Sequence, residues 1–166
     1  TVMFQFQSQR YAPLALHEAK RWFYMFCQDK NSPCQEYYEM FQNNVEVLEY
    51  CGGVVSKDPG LVDNELTLVG LRRETATPNQ LETAEAASRE RALACALLFG
   101  SDKIRYGKLL ENLENTYTQG NDIYPATLQQ AYTLLVHWKQ DPRNIVRLIG
   151  TPTDGLAFAT VGTEGT

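Results

Sequence analysis

Apolar residues recur at intervals of three and four over most of this chain and at intervals of two only at its start, and these two periods separate helix from strand. At the start Val2, Phe4 and Phe6 alternate with polar neighbours, which predicts a short strand or an extended arm over residues 1–12. From Pro13 the interval lengthens. Leu16, Ala19, Trp22, Phe23 and Phe26 predict a helix over 13–27, with Pro13 in the first turn, where a missing N–H costs nothing. Trp22, Phe23, Tyr24 and Phe26 exceed what one buried stripe can hold, so part of this aromatic content faces a second surface.

The following segments share a cap-then-proline or cap-then-Gln grammar. Ser32-Pro33-Cys34-Gln35 predicts a cap at Ser32 and a capping box closed by Gln35, with Tyr37, Met40 or Phe41, Asn44 or Val45, and Leu48 inward and a stop at Gly52-Gly53. Asp58-Pro59 opens a helix with Leu61, Val62, Leu66 and Val69 on one side, ending near Gly70 to Arg73. Thr77 with Gln80 opens an alanine-rich helix that runs to Phe99 and stops at Gly100. Ser101 is the expected cap of a helix carrying Tyr106, Leu110, Leu113 and Tyr117, broken at Gly120-Asn121-Asp122. Thr127 with Gln130 opens the last helix, with Leu128, Ala131, Tyr132 and Leu135 inward and its end at Asp141-Pro142. Beyond Gly150 no period is left, so 151–166 reads as a tail or linker. The expectation is an all-α chain of about six helices with extended N- and C-terminal arms, and no repeat of 20–50 residues is visible.

Composition narrows the function classes. A length of 166 residues suits one domain with short arms, and 43% hydrophobic against 21% charged residues fits a folded chain. No apolar run reaches the ~20 residues of a membrane span, and no secretion signal opens the chain. A first residue of Thr rather than Met fits a piece of a longer polypeptide. Fifteen Lys and Arg against twenty Asp and Glu give a net charge of −5, which opposes nucleic-acid binding. Lys20-Arg21, Arg72-Arg73 and Arg143 with Arg147 are too short to offset it.

Chemistry is sparse. The four cysteines, Cys27, Cys34, Cys51 and Cys95, form no CxxC pair, and only His17 and His137 could join them, so no zinc site is expected. Cys27 and Cys51 adjoin apolar faces and read as buried, reduced thiols of a cytosolic protein. Glu46 with Glu49 and Glu111 with Glu114 fall at i, i+3, a spacing that solvated helix faces use routinely. The glycines follow no phosphate-loop order. The expectation is a non-enzymatic helical module without cofactor, acting through the surfaces it presents.

At Gln28 a known pattern emerges. Gln28, Ser32-Pro33, Tyr37 and Phe41 resemble the major homology region of retroviral and retrotransposon Gag capsid proteins, Q-G-x-x-E-P-x-x-x-Y-x-x-x-F, without gaps. Asp29 stands where that family has glycine, and Ser32 where retroviruses have glutamate. In such a motif the Gln28 amide would bond the loop backbone, while Tyr37 and Phe41 pack their helix into the core. The stretches beginning at Arg105, Tyr117 and Tyr124 further resemble the Gag segment of copia-type LTR retrotransposons of diatoms and other protists, and the likeness extends over about residues 14–150.

The resemblance implies a capsid protein that self-assembles as a homo-oligomeric shell, in cytoplasmic virus-like particles around the element's RNA. The RNA would be held by a basic or zinc-knuckle region outside this chain. It also implies a capsid C-terminal-like domain over 28–150, with 13–27 as a connecting helix. Phe4, Phe6, Trp22, Leu156 and Phe158 are then candidate assembly contacts. The alternative is a domesticated Gag-like protein or another helical adaptor with a cellular role.

Overall fold

The computed structural model describes residues 11–138. Among them are six helices and no strand: α1 (Ala12–Met25), α2 (Cys34–Tyr50), α3 (Pro59–Leu68), α4 (Pro78–Gly100), α5 (Lys103–Thr118) and α6 (Leu128–His137). The described residues are all-α, as their periodicity predicts. Phe4, Phe6, Leu156 and Phe158 lie outside the described residues, and α6 ends at His137, with Trp138 already extended, before the stop expected at Asp141-Pro142.

Helix starts follow the sequence grammar at some positions and depart from it at others. Proline occupies the first turn of α1, α3 and α4, where its fixed φ suits the helix. At α4 the capping box is complete: the Gln80 N–H donates to Thr77 Oγ1 at 3.3 Å and the Thr77 N–H to Gln80 Oε1 at 2.9 Å. At α6 it slips by one residue. Thr77's counterpart, Thr127, accepts from the Gln130 N–H, but Gln130 Oε1 takes the N–H of Ala126 instead.

Three expected caps need correction. Ser32 does not cap α2, because the N-cap position falls on Pro33. The Ser32 hydroxyl leans on the Pro33 carbonyl at 3.4 Å, and Gln35 closes no box, since its amide donates to Glu39 at 3.0 Å. Asp58 occupies the N-cap of α3 without a side-chain cap bond. Ser101 belongs to the end of α4, its hydroxyl donating to the Leu98 carbonyl at 2.6 Å, and Asp102 caps α5 by accepting from the Ile104 N–H at 3.2 Å. At the close of α2, Gly52 adopts φ +84°, and the following Gly53 N–H returns to the Leu48 carbonyl at 2.9 Å.

The main core gathers one face from each of five helices. Ala19 and Phe23 come from α1, Tyr37, Phe41, Val45 and Leu48 from α2, Leu93, Ala94, Leu97 and Leu98 from α4, Tyr106, Leu109 and Leu113 from α5, and Leu128, Ala131 and Leu135 from α6. With 23 residues and about 1.5 Å per residue, α4 is long enough to serve two cores. Its first half, through Ala84, packs against Val62 and Leu66 of α3 in a separate cluster. Polar ties join the same layers: Arg91 pairs with Glu65, Arg89 with Glu49, and Ser56 bonds Ser88 at 3.2 Å. Several residues expected inside are exposed, namely Leu61, Val69, Tyr117 and, in the Met40-or-Phe41 choice, Met40. In α5 the inward row runs through Leu109, one position before the expected Leu110.

Candidate functional site

The residues singled out by motif meet at the loop between α1 and α2. The chain leaves α1 through Phe26 in an extended conformation, and the Gln28 N–H then bonds the carbonyl of Gly100 at the end of α4, at 2.8 Å. The Gln28 side chain is only 7% exposed, so both ends of its amide require partners. Its Nε2 donates to the Ser32 carbonyl at 3.1 Å, and its Oε1 accepts the Asp102 N–H at 3.1 Å. One side chain therefore closes its own loop and clamps it to the start of α5.

Arg105 completes the network from the other side. Its Nη1 donates to the Ser32 carbonyl at 2.7 Å, Nη2 to the Asp29 carbonyl at 2.8 Å, and Nε to Asp102 Oδ2 at 3.0 Å. A planar guanidinium can serve three acceptors at once in this way, and a lysine cannot. The Asp102 carboxylate in turn caps α5 with its other oxygen, so the ion pair and the cap reinforce each other.

Below the loop, Tyr37 and Phe41 project one turn apart from α2. The Tyr37 hydroxyl donates to the Leu97 carbonyl at 2.8 Å, its ring stacks on Phe26 at 5.5 Å, and burial pushes the phenol well above its ordinary range. Phe41, 3% exposed, meets Phe23 of α1 with ring centroids 5.8 Å apart. Gly100 allows this closeness. A Cβ there would stand 2.5 Å from the Tyr37 hydroxyl and 3.1 Å from the Phe26 carbonyl.

Gln28, Ser32, Tyr37 and Phe41 are thus brought together. Ser32 takes part through its carbonyl rather than its hydroxyl, and Pro33 is exposed at the head of α2. Asp102 and Arg105 are the members that motif spacing did not single out. The sequence signal for them was an Asp followed three residues later by Arg at a helix start, in a place where Ser101 was the expected cap. Trp22 lies away from this network, 71% exposed on α1.

The remaining chemical candidates are dispersed. Cys27 is exposed rather than buried, because the extended chain after α1 turns it outward, and Cys34, Cys51 and Cys95 are partly buried. All four are free thiols, and burial raises the pKa of Cys34 and Cys95. His17 and His137 are exposed, as are Glu46, Glu111 and Glu114, while Glu49 is engaged by Arg89 at 2.7 Å. Among the described residues no three His, Cys, Asp or Glu side chains are grouped to hold a metal, and no helix is long and apolar enough to cross a membrane. Neither histidine lines the cleft of about 380 Å³ beside the loop, which is bordered by Phe26, Cys27, Asp29, Ser32, Glu36 and Met40.

No protein-family model matches the chain, and no curated protein or solved structure is significantly similar to it.

Proposed function

We propose that this chain is a structural Gag-type capsid protein, of the copia-type LTR retrotransposon kind, that self-assembles into a shell around RNA. The observation that supports the reading most is the arrangement of Gln28, Ser32, Tyr37 and Phe41. At the spacing of the major homology region, they lie in one buried hydrogen-bonded and aromatic network that serves folding rather than a reaction. On this reading the protein is not an enzyme and uses no cofactor. Its partners are copies of itself, and RNA is captured through a basic or zinc-knuckle region outside this chain, as the net charge of −5 favours.

Purified full chain, followed by size-exclusion chromatography and negative-stain imaging, tests this. Closed particles support the shell reading, and a monomer or small discrete oligomer under all assembly conditions overturns it. A second reading, a domesticated Gag-like or other helical adaptor, draws on the same acidic charge and on the exposed aromatics of α1, which suit a protein partner. It predicts the small discrete species.

A further inference from the structure

The cleft beside the loop between α1 and α2 continues into a second hollow along the end of α1. The first, of about 380 Å³, and the second, of about 780 Å³, share Phe26 and Cys27 as a common wall and so make one trough. Its α1 end is apolar, with Trp22 71% and Met25 65% exposed, and Met40 of α2 lies 47% exposed at the loop end. None of the three belongs to the core, which takes Ala19 and Phe23 from α1 and Tyr37 and Phe41 from α2. An indole and two thioethers in the open give an adaptable contact surface of the kind that anchors a partner's apolar side chain.

Charge differs from one end of the trough to the other. Asp29 and Glu36 line the loop end, and among the described residues no Lys or Arg side chain does. Both acids are exposed, and among the described residues neither takes part in an ion pair. Asp29 uses one carboxylate oxygen to accept the Lys30 N–H at 2.7 Å and keeps its charge. Arg21 borders the α1 end, where it disfavours a cation. We infer that the trough receives a segment of another protein that carries Arg or Lys beside an apolar residue. The apolar side chain seats on Trp22 and Met25, and the cation reaches Asp29 and Glu36 with its aliphatic stem along Phe26 and Met40. Long basic side chains cover apolar surface while keeping their charged ends in water, and an apolar floor rimmed by carboxylates suits that habit. The same carboxylates turn away phosphate-bearing ligands, and a net charge of −5 draws a basic segment rather than a second copy of this chain. Such a site serves a shell subunit and an adaptor equally, so it goes beyond the proposed function and does not depend on particle formation.

Blocked pentapeptides titrated into the full chain and followed by nuclear magnetic resonance test the site. The probe is acetyl-Ala-Leu-Ala-Arg-Ala-amide, with counterparts that carry citrulline or Glu in place of Arg, or Ala in place of Leu. The arginine peptide is expected to saturate with a Kd of about 0.1–1 mM, as suits one small contact. Citrulline, neutral but of the same shape, should weaken binding about threefold or more, and loss of the Leu side chain about fivefold or more. Glu in that place should abolish binding. In the chain, Asp29→Asn with Glu36→Gln should reproduce the citrulline effect, and Trp22→Ala the loss of Leu. Helicity by circular dichroism should stay native in both variants, because all three positions are exposed. Raising salt from about 50 to about 500 mM should weaken the arginine peptide and leave the citrulline peptide unaltered. Equal binding of the arginine and citrulline peptides, no saturation by about 10 mM, or native affinity in either variant would overturn the site. So would a native chain whose self-association blocks the peptide, since the trough would then belong to a second copy.

Discussion

Gln28 and Asp102 stand 74 positions apart in the chain, yet the Asp102 N–H donates to Gln28 Oε1 at 3.1 Å inside the protein. A bond of this sequence separation is made only after α2, α3 and α4 have been laid down between its partners. It therefore reports the closed fold rather than any local propensity. Replacing Gln28 by Ala should strand the Asp102 N–H and one partner of the Ser32 carbonyl, at a cost of about 1–3 kcal/mol in urea unfolding. Gln28→Glu should also destabilise, because a carboxylate cannot donate to the Ser32 carbonyl and would set a negative oxygen against it.

Arg105 offers a second handle on the same network. Its three donors reach the Ser32 and Asp29 carbonyls and Asp102 at 2.7, 2.8 and 3.0 Å. Arg105→Ala is expected to lose about 1–3 kcal/mol. Arg105→Lys should recover only a minor part of that loss, since one ammonium cannot span the three acceptors. Equal stability of the lysine variant and the native protein in urea titration would count against this geometry.

Why one half of this site is readable in sequence and the other is not follows from how each residue acts. Tyr37 and Phe41 belong to a helical stripe, and any buried stripe announces itself as a period. Gln28 is polar, but its offset from Pro33, Tyr37 and Phe41 marks it. Arg105 acts on carbonyls of a distant loop and Asp102 gives its own N–H to Gln28, so the Asp-to-Arg spacing marks a helix start while the backbone partners leave no trace in side-chain pattern. Ser32 departs from the expected cap in a related way: its carbonyl is claimed by Gln28 and Arg105, and the N-cap position falls one residue later, on Pro33. Single apolar positions on a helix edge, such as Leu61 and Val69, carry the right period and are nonetheless exposed, because the period alone does not say whether another element comes to meet them. The all-α class was legible because it depends on the sum of many such positions rather than on any one.

Phe41→Ala tests the packing below the loop. The side chain is buried between Phe23 and Tyr37, with ring centroids 5.8 and 6.5 Å away. Truncation there should leave a cavity and cost about 3–5 kcal/mol, seen as a marked fall in the midpoint of a circular-dichroism melt. An unchanged melt would place Phe41 outside the load of the core.

Gly100→Ala should destabilise the protein although alanine is the better helix former. The added methyl would stand 2.5 Å from the Tyr37 hydroxyl and 3.1 Å from the Phe26 carbonyl, so either the Tyr37–Leu97 bond or the loop must move. Combining Gly100→Ala with Tyr37→Phe removes the closest of these contacts. The double variant should therefore lose less than the two single variants' losses added together, a coupling measurable by a denaturation cycle.

Alkaline pH should unfold this protein earlier than its composition alone suggests. Burial, followed by the neighbouring Cys34, pushes the Tyr106 phenol up to about 12 from an ordinary 10.0, and burial raises Tyr37 further still. A phenol with a higher pKa in the folded chain than in the unfolded one holds its proton longer when folded. Below pH 10 both states are protonated and the stabilisation is fully present. Between pH 10 and about 12 the unfolded state releases a proton that the folded state keeps, so stability falls as pH rises. Urea midpoints measured from pH 8 to 12 should decline across that window. Tyr106→Phe should flatten the decline, because the substituted ring keeps the packing and has no proton to lose. Retention of the full slope in Tyr106→Phe would assign the pH dependence to Tyr37 and the partly buried Cys34 and Cys95 instead.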